Sequence, residues 1–175
     1  MNNLLNQKIL QDLEQYIEHN LVDDSPWRSV AFSLDLSDRS RHKKIPSSLR
    51  EALDRLLEYS RRNDTFQQRL LRLIDDTGRT DAEIYRRAHI DRRLFAKIRA
   101  NKDYKPSKRT VLALALALKL DMDKTEDLLH RAGFYLSCSQ KEDVIVEYFI
   151  KTQQHDIDIV NDALMYYELP PLTER

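Results

Sequence analysis

Only two glycines occur in 175 residues, and this scarcity limits the folds open to the chain. Gly78 and Gly133 each stand just past a helical run of apolar residues. That is where a left-handed residue ends a helix. No glycine is left for a phosphate-cradling loop, so the P-loop and dinucleotide-binding fingerprints are absent.

Capping signals repeat along the same chain. Asn3 starts a helix to about residue 19, with Leu4, Leu5, Ile9, Leu13, Tyr16 and Ile17 at helical spacing. Ser48 with Glu51 opens a helix to about residue 62, and Asp64 or Thr65 opens the next, which stops at Gly78. Thr80 pairs with Glu83, and Ser107 follows Pro106 at the head of an apolar run. Asp123 with Glu126 opens a helix that stops at Gly133, and Ser139 with Glu142 opens one to about residue 151. Asp156 caps a last helix to about residue 168, stopped by Pro170 and Pro171. The pattern predicts an all-α compact bundle of about eight or nine helices. One segment breaks it. At 29–37, Val30, Phe32, Leu34 and Leu36 alternate with small or polar residues. It reads either as a short strand able to pair across an interface or as an extended piece packed on the bundle.

Charge divides the chain. Residues 79–109 hold eleven Lys/Arg against four Asp/Glu, a net of +7 in a chain whose total is zero. Residues 1–35 carry −4 and residues 136–175 carry −5. A basic block between acidic ends is the footprint of a polyanion-binding surface. Arg39, Arg41, Lys43 and Lys44 in the linker at 37–46 read as a solvated loop. Three domains are expected: 1–45 (first helix, extended segment and linker), 46–135 (the basic helical domain) and 136–175 (an acidic helical extension).

Within the basic block, TDAEIYRRAHIDRRLFAKI divides into two helices. The first runs from Asp81 to about Ala88, with Ile84 and Ala88 inward. His89 and Ile90 make the turn, and Asp91 caps the second helix, with Leu94 or Phe95 and Ile98 in the core. Arg92, Arg93, Ala96, Lys97 and Arg99 are left on the outer or N-terminal part, where a recognition helix presents side chains to the major groove. Arginine pairs bidentately with guanine edges, and lysine reaches guanine or phosphate. The following loop, NKDYKPSK, suits the phosphate backbone. The core of this region is expected to include Leu70, Leu73, Ile84, Ala88, Ile90, Phe95, Ile98, Leu112, Ala115, Leu116 and Leu129.

These features resemble the phage-repressor (Xre/Cro-like) type of helix-turn-helix domain over residues 66–134. The resemblance rests on Thr80, Asp91, Pro106-Ser107, the apolar helix at 111–120 and the acid-capped helix at 123–129. It implies a five-helix DNA-binding domain. Arg92, Arg93, Ala96 and Lys97 would face bases. Thr80, Arg99, Lys102, Tyr104, Lys105, Ser107 and Lys108 would meet phosphates. Three positions depart from the family pattern. Asp81 stands where a phosphate-contacting glutamine is usual, Tyr85 where a small alanine lets the helices approach, and His89 where the turn usually has glycine.

The expected function is therefore a DNA-binding transcriptional regulator, a homodimer reading double-stranded DNA. The alternative is a helical adaptor in a bacterial stress or defence system, its basic face meeting an acidic protein partner. No motif suggests an enzyme, a cofactor or a metal. The histidines at 19, 42, 89, 130 and 155 are scattered. Asp127 with His130 lacks a nucleophile, and Asp156, Asp158 and Asp162 read as a cap and a solvated face. Tyr104 could stack on a base or pack on its own loop. The stripe Tyr135, Leu136, Val144, Ile145, Tyr148 and Phe149 could be core or a partner groove. Cys138, alone, excludes an internal disulfide and reads as a small buried side chain or a reactive thiol. No apolar run reaches bilayer length and no signal peptide is evident, so the cytoplasm is the expected compartment.

Overall fold

Eight α-helices and no strand make up the described residues, 7–20 and 64–173 of a computed structural model. They are α1 (Gln7–Asn20), α2 (Phe66–Thr77), α3 (Asp81–Arg87), α4 (Arg92–Ala100), α5 (Lys108–Ala117), α6 (Met122–Ala132), α7 (Lys141–Lys151) and α8 (Ile157–Tyr166). The all-α expectation holds over these residues. The expected extended segment at 29–37, the linker at 37–46, the helix from Ser48 and the cap at Asn3 lie outside them.

The run VLALALAL explains the centre of the fold. Thr110 to Ala117 are all buried, because α5 is apolar on every side. It packs on α3, α6 and α8, while α2 rests on α4 and α6, and α3 on α4. All eleven expected core residues are buried. The acidic C-terminal helices share this core, since α7 packs on α6 and α8, and Phe149 has no exposed surface. The stripe at 135–149 divides accordingly: Val144, Ile145, Tyr148 and Phe149 are core, and Tyr135 stands exposed.

The first helix docks on α7. Leu13 and Ile17 are buried there. The Tyr16 ring lies 5.3 Å from that of Tyr148, its hydroxyl donates to Glu147 Oε1 at 3.1 Å, and Lys151 Nζ sits 5.8 Å over it and pairs with Glu147. Burial pushes the Tyr16 phenol above its ordinary range. At the other end, the buried Asn161 holds the tail by accepting from Leu172 N at 2.9 Å.

Most caps stand where the sequence places them. Thr65 with Gln68 and Thr80 with Glu83 make complete boxes, and Asp91, Ser107 and Asp156 each accept from a first-turn N–H. Two need correction. The cap of α6 is Asp121, which accepts from Lys124 N at 2.9 Å, and Asp123 lies inside the first turn. Both carry an acid three residues ahead of a polar partner, so spacing alone did not separate them. At α7, Gln140 precedes the helix and makes no side-chain cap, while Ser139 shares a hydrogen bond with Ser137.

Helix C-termini explain the missing glycines. Gly78 and Gly133 take φ of 65° and 82°. Four other ends take the same left-handed turn with a side chain in place: His89, Lys119, Gln153 and Glu168, at φ of 50°, 55°, 57° and 59°. At each, the turn residue's N–H returns three residues back and the next N–H returns five, the Schellman pattern. The last helix thus ends at the Glu168 turn, before the prolines. A side chain in this region costs about 1–2 kcal/mol, against about 0.5–1 kcal/mol of extra backbone entropy lost by glycine. Glu168→Gly should therefore raise the melting temperature slightly and Gly133→Ala should lower it. Equal melting temperatures for both variants would refute the assignment.

Candidate nucleic-acid interface

The turn between α3 and α4 is built from its ends inward. Thr80 Oγ1 accepts from Glu83 N at 3.3 Å, and Glu83 Oε2 accepts from Thr80 N at 2.8 Å. The Thr80 N–H, followed by its hydroxyl, holds the Glu83 carboxyl below the usual carboxylate range. The helix then runs to Arg87, and Ala88 N returns to Ile84 O at 2.9 Å. His89 takes the left-handed position that glycine would fill more easily. Ile90 N reaches Tyr85 O at 2.8 Å, and Asp91 Oδ1 accepts from Arg93 N at 2.7 Å to start α4.

The apolar face of this unit is fixed. Ile84, Ala88 and Ile90 are buried, as are Phe95 and Ile98 of α4. Phe95 takes the core position and Leu94 is half-buried. Tyr85 is accommodated half-buried, its ring 5.8 Å from that of Phe95.

The opposite face of α4 presents Arg92, Arg93, Ala96 and Lys97, all exposed. Positions 92 and 96, and 93 and 97, are one turn apart and form a continuous surface. Arg92, Arg93 and Lys97 have no ion pair to any described residue. These three cations are fixed at the root by a helix anchored through Phe95 and Ile98 and open at the tip.

The seven expected phosphate contacts separate into groups. Lys102 and Lys105 are exposed, without an ion pair among the described residues. Ser107 is occupied in capping α5, accepting from Thr110 N at 3.2 Å. Tyr104 is half-buried against the core, the packing outcome of its two readings. The Thr80 hydroxyl donates to Glu83 Oε2 at 2.8 Å. Arg99 Nη1 lies 2.6 Å from Asp81 Oδ2. Lys108 pairs with Asp143, a buried carboxylate that also accepts from Ser137 N at 2.8 Å.

The Thr80–Glu83 pair was legible in the sequence, whereas Asp81 and Asp143 as partners of Arg99 and Lys108 were not. Beside Lys108, Arg109 makes a two-pronged contact with Glu142, at 2.9 and 3.3 Å. This bond raises the Arg109 guanidinium pKa further above its ordinary value. Helix α7 thus neutralises the last two cations of the basic block, Asp81 holds Arg99, and Arg92, Arg93, Lys97 and the loop's Lys102 and Lys105 stay open. Acids more than thirty residues away gave no local signal.

Other candidate residues are occupied or apart. Asp127 binds Arg69 at 2.6 Å and Arg131 at 2.8 Å, clamping α2 to α6, and His130 is exposed. Cys138 is exposed, correcting its reading as a buried side chain. Among the described residues no three His, Cys, Asp or Glu side chains converge as a metal site, and no helix is long and apolar enough to cross a membrane. No family model, curated protein or solved structure matches the chain.

Proposed function

We propose that this chain is a DNA-binding transcriptional regulator that places α4 in the major groove. The observation that carries this reading is the open cationic face of Arg92, Arg93 and Lys97 on a helix held by Phe95 and Ile98. Side chains that read bases need a fixed root and an uncommitted head. Arg92 and Arg93 specify base pairs, Lys97 reaches a base or an adjacent phosphate, and Lys102 and Lys105 grip the backbone. Five helices over residues 66–132 also support the resemblance to phage-repressor domains. A homodimer would set the spacing between two half-sites.

One observation weighs against the phosphate contacts, and the second reading, an acidic protein partner that meets the open cations alone, does not need them. Arg99, Lys108 and Thr80 are already bonded to Asp81, Asp143 and Glu83. Asp81 and Glu83 thereby bring carboxylates to the edge where phosphates would lie.

Capture of genomic DNA fragments on purified protein separates the two. The DNA reading expects enrichment of a defined sequence, lost in an Arg92→Ala/Arg93→Ala/Lys97→Ala variant. Absence of any bound fragment at low salt would transfer the basic face to a protein partner.

A further inference from the structure

Three of the four side chains held in left-handed turns line the same cleft. His89 ends α3, Lys119 ends α5 and Gln153 ends α7, and the three turns surround a cavity of about 400 Å³. The two described helix ends that do use glycine, Gly78 and Gly133, do not line it. Glu168, the fourth such side chain, does not line it either. Strained backbone clusters where a side chain is needed for a task other than folding. Here each of the three strained positions contributes a polar head to one cavity.

The polar heads of the cleft differ in what already holds them. Asp156 accepts from Asp158 N at 3.0 Å as the cap of α8, and Asp158 Oδ1 lies 3.7 Å from His89 Nδ1, an ion pair only with that ring protonated. His155 Nε2 is engaged with Leu120 O at 3.0 Å. Its cations are open: Arg87 and Lys119 have no ion pair to a described residue, and the Gln153 side chain has no hydrogen bond to one. A guanidinium, an ammonium and an amide around a cavity of this size match a small anion.

We infer that this cleft binds a small molecule through a carboxylate or phosphate group, held by Arg87, Lys119 and Gln153. His89 joins the cleft directly to the turn before α4, so occupancy bears on the turn that aims that helix. The site stands on its own geometry and does not require that α4 bind DNA.

The test is a titration of the full ¹⁵N-labelled chain with inorganic phosphate and, separately, with citrate. Saturable amide shifts are expected at 87–89, 119 and 153–158. The anion that saturates at lower concentration identifies the head group. A Lys119→Gly/Gln153→Gly variant is expected to fold at least as stably, because it relieves both turns, yet to bind about ten-fold more weakly or worse. The Arg92→Ala/Arg93→Ala/Lys97→Ala variant should keep the shifts, since its changes lie outside the cleft. Three results would overturn the proposal: no saturable shift there with either anion, unchanged affinity in the double glycine variant, or loss of the shifts in the triple alanine variant.

Discussion

Phe95→Ala is expected to destabilise the protein by about 3–5 kcal/mol, a melting temperature lower by roughly 6–20 °C. The ring is almost fully buried, meets Tyr85 at 5.8 Å, and anchors α4 beside Ile98. Removing it leaves a cavity between α4 and the helices it packs on, α2 and α3. Leu94→Ala, one residue earlier and half-buried, should cost clearly less. Thermal unfolding followed by circular dichroism checks both. An unmoved melting temperature for Phe95→Ala would mean that α4 buries a different face, and the outward set of Arg92, Arg93 and Lys97 would fall with it.

The second large effect concerns binding. The Arg92→Ala/Arg93→Ala/Lys97→Ala variant should bind its selected duplex at least about 100-fold more weakly, because each bidentate base contact discriminates by about 1–3 kcal/mol. Its folding should scarcely change, since all three side chains are exposed and unpaired among the described residues. Single replacement of Arg92 or Arg93 should relax preference at one base pair. A triple variant that binds like the parent would remove the recognition helix from the mechanism.

What could be read before the structure followed from interactions between near neighbours. Thr65, Thr80, Asp91, Ser107 and Asp156 cap because their partners lie two or three residues on, within one turn. Asp121 and Asp123 compete for one helix start, and only the backbone shows which is half in and half out. The core of α5 was legible from VLALALAL alone. The non-glycine turns at Lys119, Gln153 and Glu168 were not, because local propensity disfavours them and tertiary packing overrides it. For the basic block, sequence gives the charge but not its partners. Lys108 and Arg109 look as available as Lys102 and Lys105 until α7 brings Asp143 and Glu142 beside them. The docking of α1 on α7 spans 131 residues between Tyr16 and Glu147, and no window along the chain contains both.

The salt dependence of duplex binding tests the proposed role of α4 and its loop most directly. Affinity for mixed genomic fragments should fall linearly on a log–log scale, with Lys102 and Lys105 together contributing a slope of about −2. Lys105→Ala should weaken binding to all sequences alike and reduce that slope by about one, whereas Lys108→Ala should leave it unchanged, because Asp143 already holds that ammonium. No binding to duplex DNA at low salt, or a slope indifferent to Lys105, would contradict the account.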